Sequence, residues 1–213
     1  MEKFTRVAGV AAPFPTANID TDAIIPAQWL RSLSADLGKG LFGGSRYDQE
    51  GNEKPDFILN RAPYRDAKII VAGPNFGCGS SREGAVWALQ RFGIRCVVAP
   101  GFSDIFFENA FKNGLLPLIL PEREVQELLG FLETTNDPAL TVDLERCVIE
   151  TPQGRSISFT IPKARRAALL EGLDEIGQTL RHEDEIAAFQ ARDRDARPWI
   201  HRRERGLVAK ARR

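Results

Sequence analysis

Metal-binding side chains are scarce in this chain. Its 213 residues include three cysteines, Cys78, Cys96 and Cys147, and two histidines, His182 and His201. No two cysteines form a Cys-x-x-Cys pair, and an odd, sparse set gives no disulfide framework. A complete zinc or iron–sulfur site within the chain is therefore not expected. Net charge is lacking too. Lys and Arg total 29, Asp and Glu total 29, and the formal charge is +0, so no global field draws the chain to nucleic acid or to a membrane. No apolar run approaches the length of a membrane span. The N-terminus, Met1-Glu2-Lys3-Phe4-Thr5, has no apolar segment behind a basic one, so no secretory signal is expected and the reading is a cytoplasmic protein. The remaining composition, 43% hydrophobic and 27% charged, suits one sizeable domain, or one domain with an extension.

The rest of the chain is organised around Gly73-Pro74-Asn75-Phe76-Gly77-Cys78-Gly79-Ser80-Ser81-Arg82-Glu83. Before it stands the β-type run Lys68-Ile69-Ile70-Val71-Ala72. After it Ala85, Val86, Ala88, Leu89 and Phe92 recur at helical spacing. Strand, glycine-rich turn and helix are predicted in that order. The glycines let the backbone approach a ligand closely. Ser80 or Ser81 is placed to cap the helix, and Glu83 stands at the capping-box offset from Ser80. A helix N-terminus turns unpaired N–H groups and partial positive charge into the turn, and Arg82 adds a forked cation suited to a carboxylate. The site so predicted takes an anion, a small carboxylic acid or a phosphate. A capped helix with one arginine fits the same pattern. No Gly-Lys-Ser/Thr follows the glycines, and Arg82 stands where a dinucleotide fingerprint has its third glycine, so neither familiar nucleotide loop is present. Cys78 either lines the site or packs; Cys96 reads as a small core residue of a strand.

Upstream, a short strand near Val7–Ala12 leads into Asn18-Ile19-Asp20-Thr21-Asp22-Ala23-Ile24-Ile25-Pro26, where Asp20 or Asp22 caps a short helix beginning near Pro26. Residues 34–55 carry five glycines and few periodic apolar positions. They read as a long, partly mobile loop, with Arg46 either facing a ligand or lying solvated at the surface. Downstream, Gly93 and Gly114 close helices, Arg95–Ala99 and Leu115–Leu120 read as strands, and Pro117 puts the second of these at an edge or an end. Pro121 opens a helix bearing Val125, Leu128, Leu129 and Leu132. This βαβαβα run predicts an α/β fold with a mostly parallel sheet flanked by helices. From Thr141 to Ile161 the period switches to alternation, which is antiparallel β structure. Helices follow through Leu170 and Phe189. The body is expected to span 1–191, with a basic C-terminal tail at 192–213 that is disordered or bound to a partner. A solvated extension is the reading preferred for the tail, with RNA binding as the disfavoured alternative.

Taken together, the motifs resemble a known family. Asn75–Glu83, Asn18–Pro26, Phe102-Ser103-Asp104-Ile105-Phe106, Asn113-Gly114-Leu115-Leu116-Pro117 and Gly172-Leu173-Asp174 with Ile176-Gly177 are similar, in order and separation, to the swivelling domain of the aconitase superfamily. Within it they resemble the small-subunit family of 3-isopropylmalate dehydratase over about residues 1–190. The resemblance implies a swivelling β/β/α domain. It also implies a large partner subunit, which holds a [4Fe–4S] cluster that this chain does not. It implies isomerisation of 2-isopropylmalate to 3-isopropylmalate by loss and return of water, in leucine biosynthesis. It also implies roles for four residues: Ser80 as catalytic base, Ser81 and Arg82 as substrate-carboxylate ligands, and Asp22 as an acid beside the active site. No metal ligands fall on this chain. Gly84 departs from the pattern, because the family usually has His there. A related hydro-lyase subunit, acting on a methylmalate, citraconate or homoaconitate, or a non-catalytic binding subunit, is the alternative.

Overall fold

The computed structural model describes residues 1–31 and 36–201. They form seven strands, β1 (Arg6–Phe14), β2 (Ile69–Ala72), β3 (Cys96–Ala99), β4 (Leu116–Ile119), β5 (Ala139–Asp143), β6 (Val148–Glu150) and β7 (Ser156–Ser158). The helices are α1 (Thr21–Ile24), α2 (Leu37–Gly40), α3 (Gly43–Arg46), α4 (Glu83–Phe92), α5 (Asp104–Asn113), α6 (Glu122–Thr134), α7 (Lys163–Glu171), α8 (Glu175–Leu180), α9 (Glu183–Ala196) and α10 (Pro198–His201). One sheet holds all the strands in the order β4-β3-β2-β1-β5-β6-β7. β1 to β4 run parallel, and β1 joins them to the antiparallel β5–β7 section. The expected α/β architecture is the one observed.

Alternation along the strands builds two cores, because successive side chains of a strand leave on opposite faces. Ile69, Val71, Cys96 and Val98 pack with Val125, Leu128, Leu129 and Leu132 of α6 and Leu169 of α7. Ile70, Ala72, Val97 and Ala99 pack with Ala85, Val86, Ala88 and Leu89 of α4 and Phe106 and Ala110 of α5. Each fully buried Ile, Val or Leu contributes roughly 1.5–3 kcal/mol relative to exposure. This is why β2 and β3, buried on both faces, read as unbroken apolar runs. β4 lies at the sheet edge, where Pro117 costs no ladder bond. Gly93 and Gly114 cap α4 and α5 in the left-handed region, as the helix-stop spacing predicted, and Gly172 caps α7 in the same way.

Of the mobile loop expected at 34–55, residues 34 and 35 lie outside the described residues, and residues 36–55 carry regular structure. They hold α2 and α3, with Leu41 and Phe42 buried and Phe42 stacked on Phe14 at 4.8 Å between ring centroids. Arg46 neither faces a ligand nor lies solvated; it is 7% exposed. Its Nε donates to Asn60 Oδ1 at 2.9 Å and its Nη1 to the Gly38 carbonyl at 3.2 Å. The guanidinium also lies over the rings of Tyr47 and Phe92. Asn60 answers with Nδ2 to the Arg46 and Lys54 carbonyls at 2.8 and 3.0 Å. A planar, weakly hydrated cation suits such a sandwich. A glycine-rich, polar stretch can therefore be pinned by one buried arginine, and nothing in its periodicity shows that.

Contacts divide the chain at Asp174, with Met1–Asp174 as one unit and the residues from Glu175 onward as another. In the second unit α9 runs to Ala196, so the boundary expected at 191 falls inside a helix. Asp193 there pairs with His201 Nε2 at 3.0 Å and accepts from Arg197 Nε at 2.5 Å, and the His201 contact, followed by that of Arg197, holds its carboxyl below the usual carboxylate range. Of the expected basic tail at 192–213, residues 202–213 lie outside the described residues. Among the described residues no helix is long and apolar enough to cross a membrane.

Candidate active site

Parallel strands release their chains at one edge of the sheet, where ligands gather in open α/β sheets. Three such exits meet here. Beyond β1 and β2, residues 14–22 and 73–80 run side by side. Gly73 N donates to Phe14 O at 2.9 Å, Asn18 N to Pro74 O at 2.9 Å, Gly77 N to Ile19 O at 2.8 Å and Thr21 N to Cys78 O at 2.8 Å. Asn75 Nδ2 donates to Asn18 Oδ1 at 2.8 Å, and both asparagines take positive φ. Beyond β3, Phe76 N donates to Gly101 O at 3.1 Å, Ser103 N to Phe76 O at 3.1 Å and Ser103 Oγ to Gly77 O at 2.6 Å. The glycine turn is thus bonded to the chain on both sides. Gly77 at φ +74 is required: a Cβ there would lie 2.3 Å from Phe106 Cγ.

This turn delivers three of the four residues singled out in the sequence. Ser80 and Ser81 are exposed just before α4. Arg82 is its N-cap, with an extended backbone and no side-chain cap bond. The capping box expected from Ser80 and Glu83 does not form. Glu83 Oε1 instead accepts from Asn113 Nδ2 at 2.7 Å, and Trp87 Nε1 donates to Asn113 Oδ1 at 3.1 Å. Neither serine hydroxyl is therefore taken up by capping. On the facing segment Asp20 caps α1 by accepting from Ala23 N at 2.7 Å, so the cap predicted there is correct in residue while its helix begins earlier than Pro26. Asp22, the fourth residue, forms an ion pair with Arg82 Nη1. At this exposure the pair contributes about 0–1 kcal/mol; its consequence is the direction in which the guanidinium points. The assembled features are two available hydroxyls, an oriented guanidinium and a helix N-terminus, which together suit a small carboxylate.

Among the described residues no three His, Cys, Asp or Glu side chains gather as a cation site, and the three thiols are free. Burial pushes the Cys96 thiol up, away from the thiolate a metal requires. The described residues do not fit an iron–sulfur cluster.

The description Aconitase C-terminal domain matches residues 1–123. LeuD_N matches 126–162, and LeuD_C, the C-terminal domain of the 3-isopropylmalate dehydratase small subunit, matches 175–203. The 3-isopropylmalate dehydratase small subunit of Paramagnetospirillum magneticum is 55% identical over 94% of this chain and all of its own length. That of Dinoroseobacter shibae is 53% identical over the same shares. The chain belongs to the 3-isopropylmalate dehydratase small-subunit family. A crystal structure titled 3-isopropylmalate dehydratase (leuD), from Methanocaldococcus jannaschii, superimposes with a TM-score of 0.62 at 29% identity, over 87% of this chain and 99% of that one.

Within this small-subunit fold the departure at Gly84 has a local counterpart. A Cβ on Gly84 would lie 2.5 Å from Leu30 Cδ2, the end of an exposed side chain that a larger residue at 84 would turn aside. Sequence reasoning missed Thr21, Asn60 and the pairing of Asn113 with Glu83. Asn113 and Thr21 sit inside motifs quoted above, and their spacing marks them, but a partner 59 residues away for Thr21 leaves no periodic trace.

Proposed function

We propose that this chain is the small subunit of a 3-isopropylmalate dehydratase and supplies the base and the carboxylate ligands for isomerising 2-isopropylmalate to 3-isopropylmalate in leucine biosynthesis. The large subunit supplies the [4Fe–4S] cluster, and the complex works in the cytoplasm. The observation that carries the reading is the Arg82–Asp22 pair beside the exposed Ser80 and Ser81, at the N-terminus of α4.

Each residue has a distinct task. Arg82 and Ser81 hold substrate carboxylate by charge-assisted hydrogen bonds, and Asp22 fixes the guanidinium. Ser80 Oγ, as its alkoxide, removes the proton from the carbon next to a carboxylate as the neighbouring carbon releases its hydroxyl as hydroxide, giving an alkene and a neutral Ser80 hydroxyl. Return of hydroxide and of the Ser80 proton with the two carbons exchanged gives the isomer and regenerates the alkoxide. A serine is a poor base unless its alkoxide is stabilised; the α4 N-terminus and Arg82 supply positive potential there. A cluster on the partner would act as Lewis acid for the leaving hydroxyl.

The test is steady-state kinetics on the reconstituted complex, at matched cluster content, with 2-isopropylmalate beside methylmalate and homoaconitate-type substrates. Ser80→Ala is expected to lower kcat by at least about 10²–10⁴-fold, the range for a general base, with KM much less affected. Near-full kcat would remove Ser80 from that role. A clear preference for another alkylmalate would replace the substrate while keeping the reaction class.

A further inference from the structure

We infer that Thr21 is a positioning residue for Ser80, an inference that rests on the reading of Ser80 as the base. Thr21 is 2% exposed, so it does not meet substrate. Its Oγ1 donates to the Ser80 carbonyl at 3.0 Å, and its N–H donates to the Cys78 carbonyl at 2.8 Å. One residue thereby grips the glycine turn at two places, on either side of Gly79. Gly79, at φ +88, is the point where the turn would otherwise swing, and Thr21 Oγ1 lies 3.6 Å from where its Cβ would be.

The Ser80 carbonyl receives a second donor, Arg82 N, at 2.8 Å. Two donors on one oxygen fix the orientation of the peptide between Ser80 and Ser81, and with it the ψ angle of Ser80. A side chain leaves from the Cα that this angle sets. A small rotation of the peptide therefore moves Oγ relative to a substrate held separately by Arg82. Because Arg82 N still satisfies the carbonyl, loss of the threonine hydroxyl leaves no orphaned acceptor, so the fold tolerates the change while the geometry does not. Thr21 is also the first residue of α1, between Asp20, which caps that helix, and Asp22, which orients Arg82. Through Thr21 the carboxylate-binding side and the proton-transfer side of the site share one rigid anchor.

The experiment is a double-mutant cycle on the reconstituted complex, with thermal midpoint and assembly with the large subunit measured alongside kinetics. Thr21→Val keeps the shape and removes the hydroxyl. It is expected to lower kcat by about 10–10²-fold, the scale of a misplacement near 1 Å, with KM, midpoint and assembly little changed. Thr21→Ser is expected to restore kcat. In a Ser80→Ala background, assayed at raised enzyme concentration, Thr21→Val is expected to cost nothing more, because the group it positions is gone. Equal losses in both backgrounds, or a loss that serine does not rescue, would overturn the inference in favour of a general packing role. An unchanged kcat in Thr21→Val while Ser80→Ala is impaired would overturn it and leave the base assignment standing. An active Ser80→Ala enzyme would sink the base assignment and the inference with it.

Discussion

Arg82 and Asp22, sixty positions apart in the chain, form an ion pair across the two segments that leave β1 and β2. The pair is partly exposed and adds little stability. It decides where a cation points when a carboxylate arrives. Arg82→Lys keeps the charge and loses the fork. It is expected to raise KM for the alkylmalate about tenfold or more, the worth of one charge-assisted bond at about 1.4 kcal/mol or above, and to lower kcat less. Asp22→Asn, which keeps the shape and frees the guanidinium, is expected to raise KM by less than Arg82→Lys. An Arg82→Lys enzyme with wild-type KM would remove Arg82 from the carboxylate site.

Arg46 is a stability residue. Arg46→Ala strips the hydrogen bonds to Asn60 and the Gly38 carbonyl and the contacts with Tyr47 and Phe92. A loss of about 2–4 kcal/mol is expected, the range for breaking a buried polar network. Denaturant melts of the isolated small chain measure it. Arg46→Lys recovers little, because an ammonium cannot make both bonds and the stack. Wild-type stability for Arg46→Ala would show that residues 36–60 fold without this anchor.

Gly77→Ala is expected to disable the site. Its φ of +74 strains any side chain, and the Cβ would lie 2.3 Å from the Phe106 ring carbon, so either the turn or α5 moves. The measurements are kcat/KM of the complex and the crystal structure of the variant. Full activity with an unmoved Phe106 would contradict the packing described here.

The thiols differ in burial. Cys96 is buried and its thiol is pushed up by burial, whereas Cys78 and Cys147 are half-buried. Iodoacetamide on the native protein is expected to label Cys78 and Cys147 and to spare Cys96 until unfolding. Adding bulk at Cys78, inside the glycine turn, is expected to lower activity of the complex. Labelling of native Cys96 at the rate of the other two would contradict its burial.

The isolated small chain is expected to bind no stoichiometric iron. Its described residues bring no three metal-ligating side chains together, so iron and sulfide assays on chelator-washed protein are expected near zero. A full cluster on the lone chain would overturn the division of labour between the subunits.

Much of this protein was determined by local sequence. Ile69–Ala72 and Cys96–Ala99 form strands because unbroken apolar runs suit a sheet covered on both sides. Val125, Leu128, Leu129 and Leu132 make one helical face, and Gly93, Gly114 and Gly172 stop helices through a conformation that glycine adopts at least cost. The strand–turn–helix around Ser80, Ser81 and Arg82 follows from the same short-range rules. The tertiary structure decided what depends on distant partners. Ser80 does not cap α4, because the helix begins at Glu83 with Arg82 as its N-cap, and the Glu83 carboxylate is taken by the distant Asn113. Arg46 is buried, because Asn60, Gly38 and two rings surround it with contacts that offset its desolvation. Hydrogen bonds and ion pairs between residues tens of positions apart leave no periodic mark in the chain. Periodicity reports which face a residue is on, and only packing reports what it meets there.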